Sequence, residues 1–143
     1  MIKNWLVARA ICKRNGIKLK FKRGTYSAFA RWNGFMGVRE IHISPLHKPF
    51  MQSFLHELSH IRSFDRMANR GLDVADEMDD PVKKFKEETK AWIFTKRVLK
   101  SKYDSNESAR CLMSYSRVHY YEALTPDQIV PYTDNLVKCM NRV

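Results

Sequence analysis

The sequence predicts an α+β fold in which a small three-stranded sheet is followed by several helices. Residues 17–22 alternate strictly between apolar and lysine side chains, which is typical of a half-buried strand. From Pro49 onward the apolar residues recur at helical spacing instead. At 143 residues and 44% hydrophobic, the chain is long enough for one domain with a packed core. We therefore expect a single domain over 1–143, made of a basic helix and sheet (1–48) and a helical part (49–143).

The elements before Pro49 follow from turn signals and alternation. A helix is predicted over 3–14, because Asn15-Gly16 is a strong helix stop. Strands are predicted over 17–22, 25–32 and 35–44, and Asn33-Gly34 indicates a hairpin turn between the last two. We expect the sheet to be antiparallel or mixed.

The second part should be helical. A helix is predicted from Pro49 to about Ala68, followed by an acidic connector over 69–80. Asp80-Pro81 has the form of an N-cap and first turn, so the next helix should begin there and carry apolar residues to about 99. A further helix is expected over 106–120, and a last one after the capping sequence Thr125-Pro126-Asp127-Gln128.

The positive charge is confined to one half of the chain. Residues 1–70 carry 14 Lys and Arg against 3 Asp and Glu, whereas residues 71–143 carry 12 of each. A basic half predicts attraction to nucleic acid or to an acidic protein partner. The same lysines also suit a solvated sheet face or an edge strand guarded against aggregation, so both interpretations stay open. The residues with which we associate a phosphate contact are Lys18, Lys20, Lys22 and Arg23.

Cysteine spacing and hydropathy indicate the cellular compartment in which the protein is expected. The three cysteines, Cys12, Cys111 and Cys139, lie far apart and form no CxxC pair, which argues against a disulfide framework and a cysteine-rich metal site. We expect a cytoplasmic protein. No apolar run approaches the roughly 18 residues of a membrane span, so no membrane association is expected.

The residues with the strongest chemical signal are His56-Glu57-Leu58-Ser59-His60. Two histidines at i and i+4 project from one helix face and can converge on one metal ion. Glu57 lies about 100° around the helix from His56, where it can reach a water on the metal without binding the metal itself. The motif therefore predicts His56 and His60 as ligands of Zn²⁺ and Glu57 as a general base.

A catalytic zinc site also needs a third protein ligand and an open position. No histidine follows His60 before His119, so a carboxylate on a later helix is the better candidate. We favour Glu88, which shares a helix face with Ala91, Trp92 and Thr95. Glu87, one step around that helix, and an acidic residue of the 73–80 segment remain alternatives.

The motif helix and the later Glu-x-x-Ala-Trp helix together resemble the ImmA/IrrE-like small gluzincins. The resemblance covers about residues 35–99. It implies a minimal zincin fold, zinc metallopeptidase activity, His56, His60 and Glu88 as ligands, and Glu57 as base. Members of that family commonly inactivate a DNA-bound repressor, which implies a protein substrate associated with DNA. Lys90 stands before Ala91 where the family usually has an acidic residue. A weaker resemblance is to the SprT-like zincins.

Several other residues are candidates by type and position. In small zincins the strand before the motif helix borders the cleft, so we expect an extended peptide to add to residues 38–43. His119 and Tyr120 could donate to a tetrahedral oxyanion. His42 and His47 are better interpreted as satisfied histidines. The alternative function is a nucleic-acid-associated binding or regulatory module on a zincin fold with little peptidase activity.

Overall fold

The α+β fold class is confirmed. The computed structural model describes residues 2–23, 28–114 and 124–143 and combines helices with a three-stranded sheet. The chain divides into two compact units, Met1–Gly71 and Leu72–Val143. The expectation that they form one domain stays a prediction.

The first unit contains two helices and the whole sheet. Its elements are α1 (Ile2–Arg14), β1 (Lys18–Phe21), β2 (Phe29–Asn33), β3 (Val38–Ile43) and α2 (Phe50–Asn69). Helix α1 ends where the sequence predicts, because Gly16 adopts a φ of 64° there and the Ile17 N–H bonds back to the Cys12 carbonyl at 2.9 Å.

The sheet is mixed, with strand order β1-β3-β2. β1 pairs with β3 in parallel, whereas β2 pairs with β3 antiparallel through the predicted hairpin. β3 is therefore the central strand, and the expectation that an extended peptide adds to residues 38–43 is wrong. A strand with neighbours on both sides has no unpaired backbone edge to offer a peptide, so β2 takes that place beside α2.

The hairpin between β2 and β3 is closed over an aromatic ring. A Cβ atom on Gly34 would lie 2.7 Å from Cη2 of Trp32. Any side chain at this position would therefore push the indole away. The glycine that predicts the turn also allows Trp32 to fold back along the sheet.

The two faces of the sheet differ in what covers them. Ile41 and Ile43 of β3 are fully buried on the face that contacts the helices of this unit. On that face α2 contacts β2 and β3, and α1 contacts β1. The strand register places Lys18, Glu40 and Arg31 in one row on the opposite face, and Lys20, His42 and Phe29 in the next.

Helix α2 lies on the sheet through an apolar stripe and one polar cluster. Phe54, Leu58 and Ile61 are buried, as their spacing predicts. Asp65 accepts a hydrogen bond at 2.9 Å from the Trp32 indole N–H and also pairs with the Arg39 guanidinium. These bonds join α2 to both strands of the hairpin.

The second unit is helical. It contains α3 (Val74–Asp79), α4 (Pro81–Leu99), a 3-10 turn (Lys100–Lys102), α5 (Ser105–Met113) and α6 (Pro126–Arg142). Its core is built from large side chains of α4, α5 and α6 and the residues next to them: Phe85, Trp92, Leu112, Leu124, Tyr132 and Val143.

Aspartate caps set three of these helix starts. Asp73, Asp80 and Asp104 each accept two backbone N–H bonds, at the starts of α3, α4 and α5. The start of α4 is confirmed, but the acidic connector contains α3, which was not predicted. The expected helix over 106–120 is present as Ser105–Met113, and its remainder falls outside the described residues.

In the described ranges, no helix is both long enough and apolar enough to cross a membrane.

The cap of α4 gives a stability prediction. Replacing Asp80 by Ala removes the acceptor of the Val82 and Lys83 N–H groups, at 2.8 and 3.1 Å. We expect the free energy of unfolding in urea to fall by about 1 kcal/mol. Asp79→Ala is the matched control, since this neighbouring carboxylate is exposed and should change stability by less than about 0.5 kcal/mol. Equal losses in both variants would contradict the cap.

Candidate metal centre

Two imidazoles of α2 meet at one point. The Nε2 atoms of His56 and His60 lie 3.0 Å apart, and the ring planes are almost perpendicular. The two residues are one helical turn apart, so both side chains leave the same face. Each is only 6% exposed. The predicted convergence of the two histidines is thus present in the fold.

A carboxylate completes the group. One ligand atom from each of His56, His60 and Glu88 lies within 4.8 Å of the other two. Two nitrogens bound at about 2.0–2.1 Å to one tetrahedral ion would be about 3.4 Å apart, close to the observed separation of the Nε2 atoms. Two imidazoles and one carboxylate are also a donor set that divalent transition metals accept. The three residues can therefore hold a metal ion.

Glu87, the alternative third ligand, has a different setting. Its side chain is 3% exposed, so the interpretation of the 87–88 pair as a solvated acidic surface is wrong for this residue. Among the described residues, however, Glu88 and not Glu87 groups with the two histidines. No carboxylate of the 73–80 segment joins the group either. Asp73 and Asp80 serve as helix caps instead.

Glu57 is held by the sheet. One carboxylate oxygen, Oε2, accepts a hydrogen bond from the Ala30 backbone N–H at 2.8 Å. Because that N–H is used here, it does not take part in the ladder from β2 to β3. It points instead to the outer edge of β2, which is an edge strand. Glu57 lies next to a ligand histidine in sequence and, among the described residues, next to the edge strand of the sheet in space.

An aromatic shell supports His60, and sequence reasoning missed it. The ring of Phe64, one turn later on α2, stacks on the His60 imidazole with centroids 5.8 Å apart. Trp32 meets Phe64 edge-on at 6.0 Å and is itself held by Asp65. Asp65, which holds this shell, could have been singled out from the sequence. It is one of three acidic residues among the first 70.

The other histidines are engaged elsewhere. The His42 ring bonds to the Glu40 carboxylate at 2.9 Å and stacks on Phe29. This hydrogen bond is the main reason that the pKa of Glu40 lies below its usual value. The His47 ring bonds to the Ser53 hydroxyl at 2.8 Å. Both agree with their interpretation as satisfied histidines.

Cys111 is absent from the described metal-ligand group. Burial, with the nearby Glu107 carboxylate, raises the pKa of its thiol to about 11.

The remaining candidates are the basic residues predicted to contact phosphate and the two residues predicted to donate to an oxyanion. Lys18, Lys20 and Arg23 are exposed, and Lys22 is half-buried. The two proposed oxyanion donors, His119 and Tyr120, lie outside the described residues.

No family model, no curated protein and no solved structure matches this chain. The resemblance to the small gluzincins therefore stays a prediction.

The geometry predicts which changes abolish metal binding. We expect about one zinc per chain after reconstitution, lost in His56→Ala and in Glu88→Ala because each removes a ligand. His42→Gln and Glu87→Gln are the matched controls and should keep the metal. Elemental analysis of dialysed protein measures the stoichiometry. Loss in Glu87→Gln with retention in Glu88→Ala would contradict the assignment.

Proposed function

We propose that the protein is a zinc-dependent metallopeptidase that hydrolyses peptide bonds of a protein substrate, with Glu57 as general base. The observation that carries the proposal is the grouping of His56, His60 and Glu88, with Glu57 next to the first ligand and bonded to an edge strand. Among the described residues three side chains group as ligands, and three protein ligands with one further position is the pattern of catalytic sites, whereas structural zinc sites are closed by four.

Each side chain has a distinct task in this proposal. His56, His60 and Glu88 would hold the ion, which when bound supplies Lewis acidity and lowers the pKa of water. Glu57 accepts the proton of the attacking water and passes it to the departing amine. The Ala30 N–H engages Oε2 of Glu57, so the carboxylate is oriented before the substrate arrives.

The outer edge of β2 is the best path for a peptide. Edge strands bind extended peptides through main-chain hydrogen bonds. Glu57 contacts Ala30 on the side of β2 that faces away from β3, so a peptide added along that side would pass the general base. This replaces the predicted use of residues 38–43.

A cytoplasmic location and a DNA-associated substrate are parts of the same proposal. The absence of a CxxC pair supports the first, and the charge of residues 1–70 supports the second. The alternative is a nucleic-acid-associated module with little peptidase activity. If it holds, the biological effect should survive replacement of Glu57.

Glu57→Gln separates catalysis from binding. The amide keeps the size of the side chain but cannot take a proton at neutral pH. We expect hydrolysis of a labelled unfolded protein such as casein to fall by at least about 100-fold, the low end for general-base catalysis. Zinc content should stay at the wild-type level. Glu107→Gln, at a half-buried glutamate paired with Arg110, is the control and should keep full activity. Full activity in Glu57→Gln would reject the proposal.

Ala30→Pro tests the orientation of the general base. Proline has no N–H, and it is tolerated on an edge strand where that N–H points outward. Loss of a hydrogen bond to a charged group costs about 1.5–3 kcal/mol, so we expect kcat to fall about 10–100-fold with zinc retained. Ala30→Gly keeps the N–H and should keep most of the activity. Equal kcat values for the two variants, with both folded by circular dichroism, would show that the bond to Glu57 does not matter.

A further inference from the structure

We infer that the face of the sheet opposite α1 and α2 binds single-stranded nucleic acid through Lys18, Lys20, Lys22 and Arg31, with Phe29 as a stacking ring. This surface, the basic sheet face, lies within the first unit and uses no metal ligand. The inference is therefore independent of the proposed peptidase activity.

The strand register builds this surface. Lys18, Glu40 and Arg31 stand side by side across the three strands, and Lys20, His42 and Phe29 form the next row. Lys22 follows two residues after Lys20 along the same strand direction. Neighbouring strands are about 4.8 Å apart and the rows about 6.7 Å apart, so the cations span a patch about 10 Å wide. Such a patch accommodates a few nucleotides of one strand.

Exposure shows that the face is accessible. Lys18, Lys20 and Arg31 are exposed, and Phe29 is 42% exposed. The helices that contact the sheet within this unit cover the side that carries Ile41. A row of exposed lysines could alone be a solvated strand, but the exposed Phe29 ring among them also offers a flat apolar surface on which a base can stack.

The positive charge of the basic sheet face favours a polyanion as its ligand. Four cations surround a single carboxylate, that of Glu40, which is occupied by its hydrogen bond with His42. The same bond holds the His42 ring parallel to Phe29, with centroids 4.5 Å apart and planes 9° apart. The carboxylate therefore orders the aromatic pair, and because it is one negative charge among four cations, the face keeps a net positive charge.

The aromatic pair favours a single strand over a duplex or an acidic protein. Bases of a single strand are open to stacking, and exposed rings within a basic surface are the usual means of binding them. Lys22 Nζ lies 5.1 Å from the centroid of the Phe29 ring, a cation-π contact. At an exposed site this contact is weaker than base stacking, so a base can displace the ammonium. An acidic peptide would use the lysines but has no need of the ring.

The test is the affinity of the full chain for fluorescein-labelled (dT)12, measured by anisotropy over a range of salt. Four phosphate contacts predict a slope of log K against log salt of about −3, since each contributes about −0.7 on a single strand. Lys18→Gln with Lys20→Gln should reduce the magnitude of this slope by about 1.4 and weaken binding about 25-fold at 0.1 M salt. Phe29→Leu should weaken binding at every salt concentration without changing the slope.

Matched controls distinguish binding by the basic sheet face from attraction to the positive charge of the whole protein. Lys102→Gln with Lys138→Gln removes the same charge from exposed positions of the second unit and should leave affinity within about twofold. Glu57→Gln protein should bind as wild type does. Three results would overturn the inference: no binding of (dT)12, an equal loss in the control pair, or tighter binding of a 12-base-pair duplex or of a glutamate 12-mer than of (dT)12.

Discussion

The position of α2 on the sheet is the constraint on which the candidate centre depends. An apolar stripe alone would let the helix slide or roll, because hydrophobic contact is not directional. Two hydrogen-bonded carboxylates remove that freedom. Glu57 is bonded to the backbone of β2, and Asp65 to the indole of Trp32 and the guanidinium of Arg39. The two lie eight residues apart, about 12 Å along the helix, so together they fix both its rotation and its register.

This constraint links the hairpin to the metal ligands. Gly34 gives space to the Trp32 indole, which holds Asp65 and meets Phe64, and Phe64 stacks on His60. A rigid shell of this kind orients a ligand before the ion binds, which lowers the entropic cost of assembling the site. The hairpin thus acts on the site through packed rings and not through a ligand of its own.

The features that the sequence predicted are those encoded locally. The spacing of His56 and His60 fixes their convergence once a helix forms, and Asn15-Gly16 and Asp80-Pro81 mark helix boundaries by their own backbone preferences. Strand order was not predictable in this way. Placing β1 beside β3 leaves β2 at the edge, and that outcome depends on pairing between residues distant in the chain. The pairing of Asp65 with Arg39, 26 residues apart in sequence, is another long-range outcome.

The surface and the centre have different physical origins. Buried imidazoles and one carboxylate favour a metal ion, whereas exposed cations across the sheet favour a polyanion. A peptidase that also carries a nucleic-acid surface would meet protein substrates already bound to nucleic acid at a raised local concentration. We propose that this arrangement accounts for the concentration of positive charge in residues 1–70, since solubility would be served equally well by an even distribution.

The central claim is that His56, His60 and Glu88 bind one metal ion, and X-ray absorption of the zinc-loaded protein tests it most directly. The account predicts nitrogen and oxygen scatterers at about 2.0–2.2 Å, outer-shell scattering from two imidazoles and no sulfur at about 2.3 Å. A sulfur shell at that distance would place a cysteine on the metal. That result, or scattering from fewer than two imidazoles, would contradict the account.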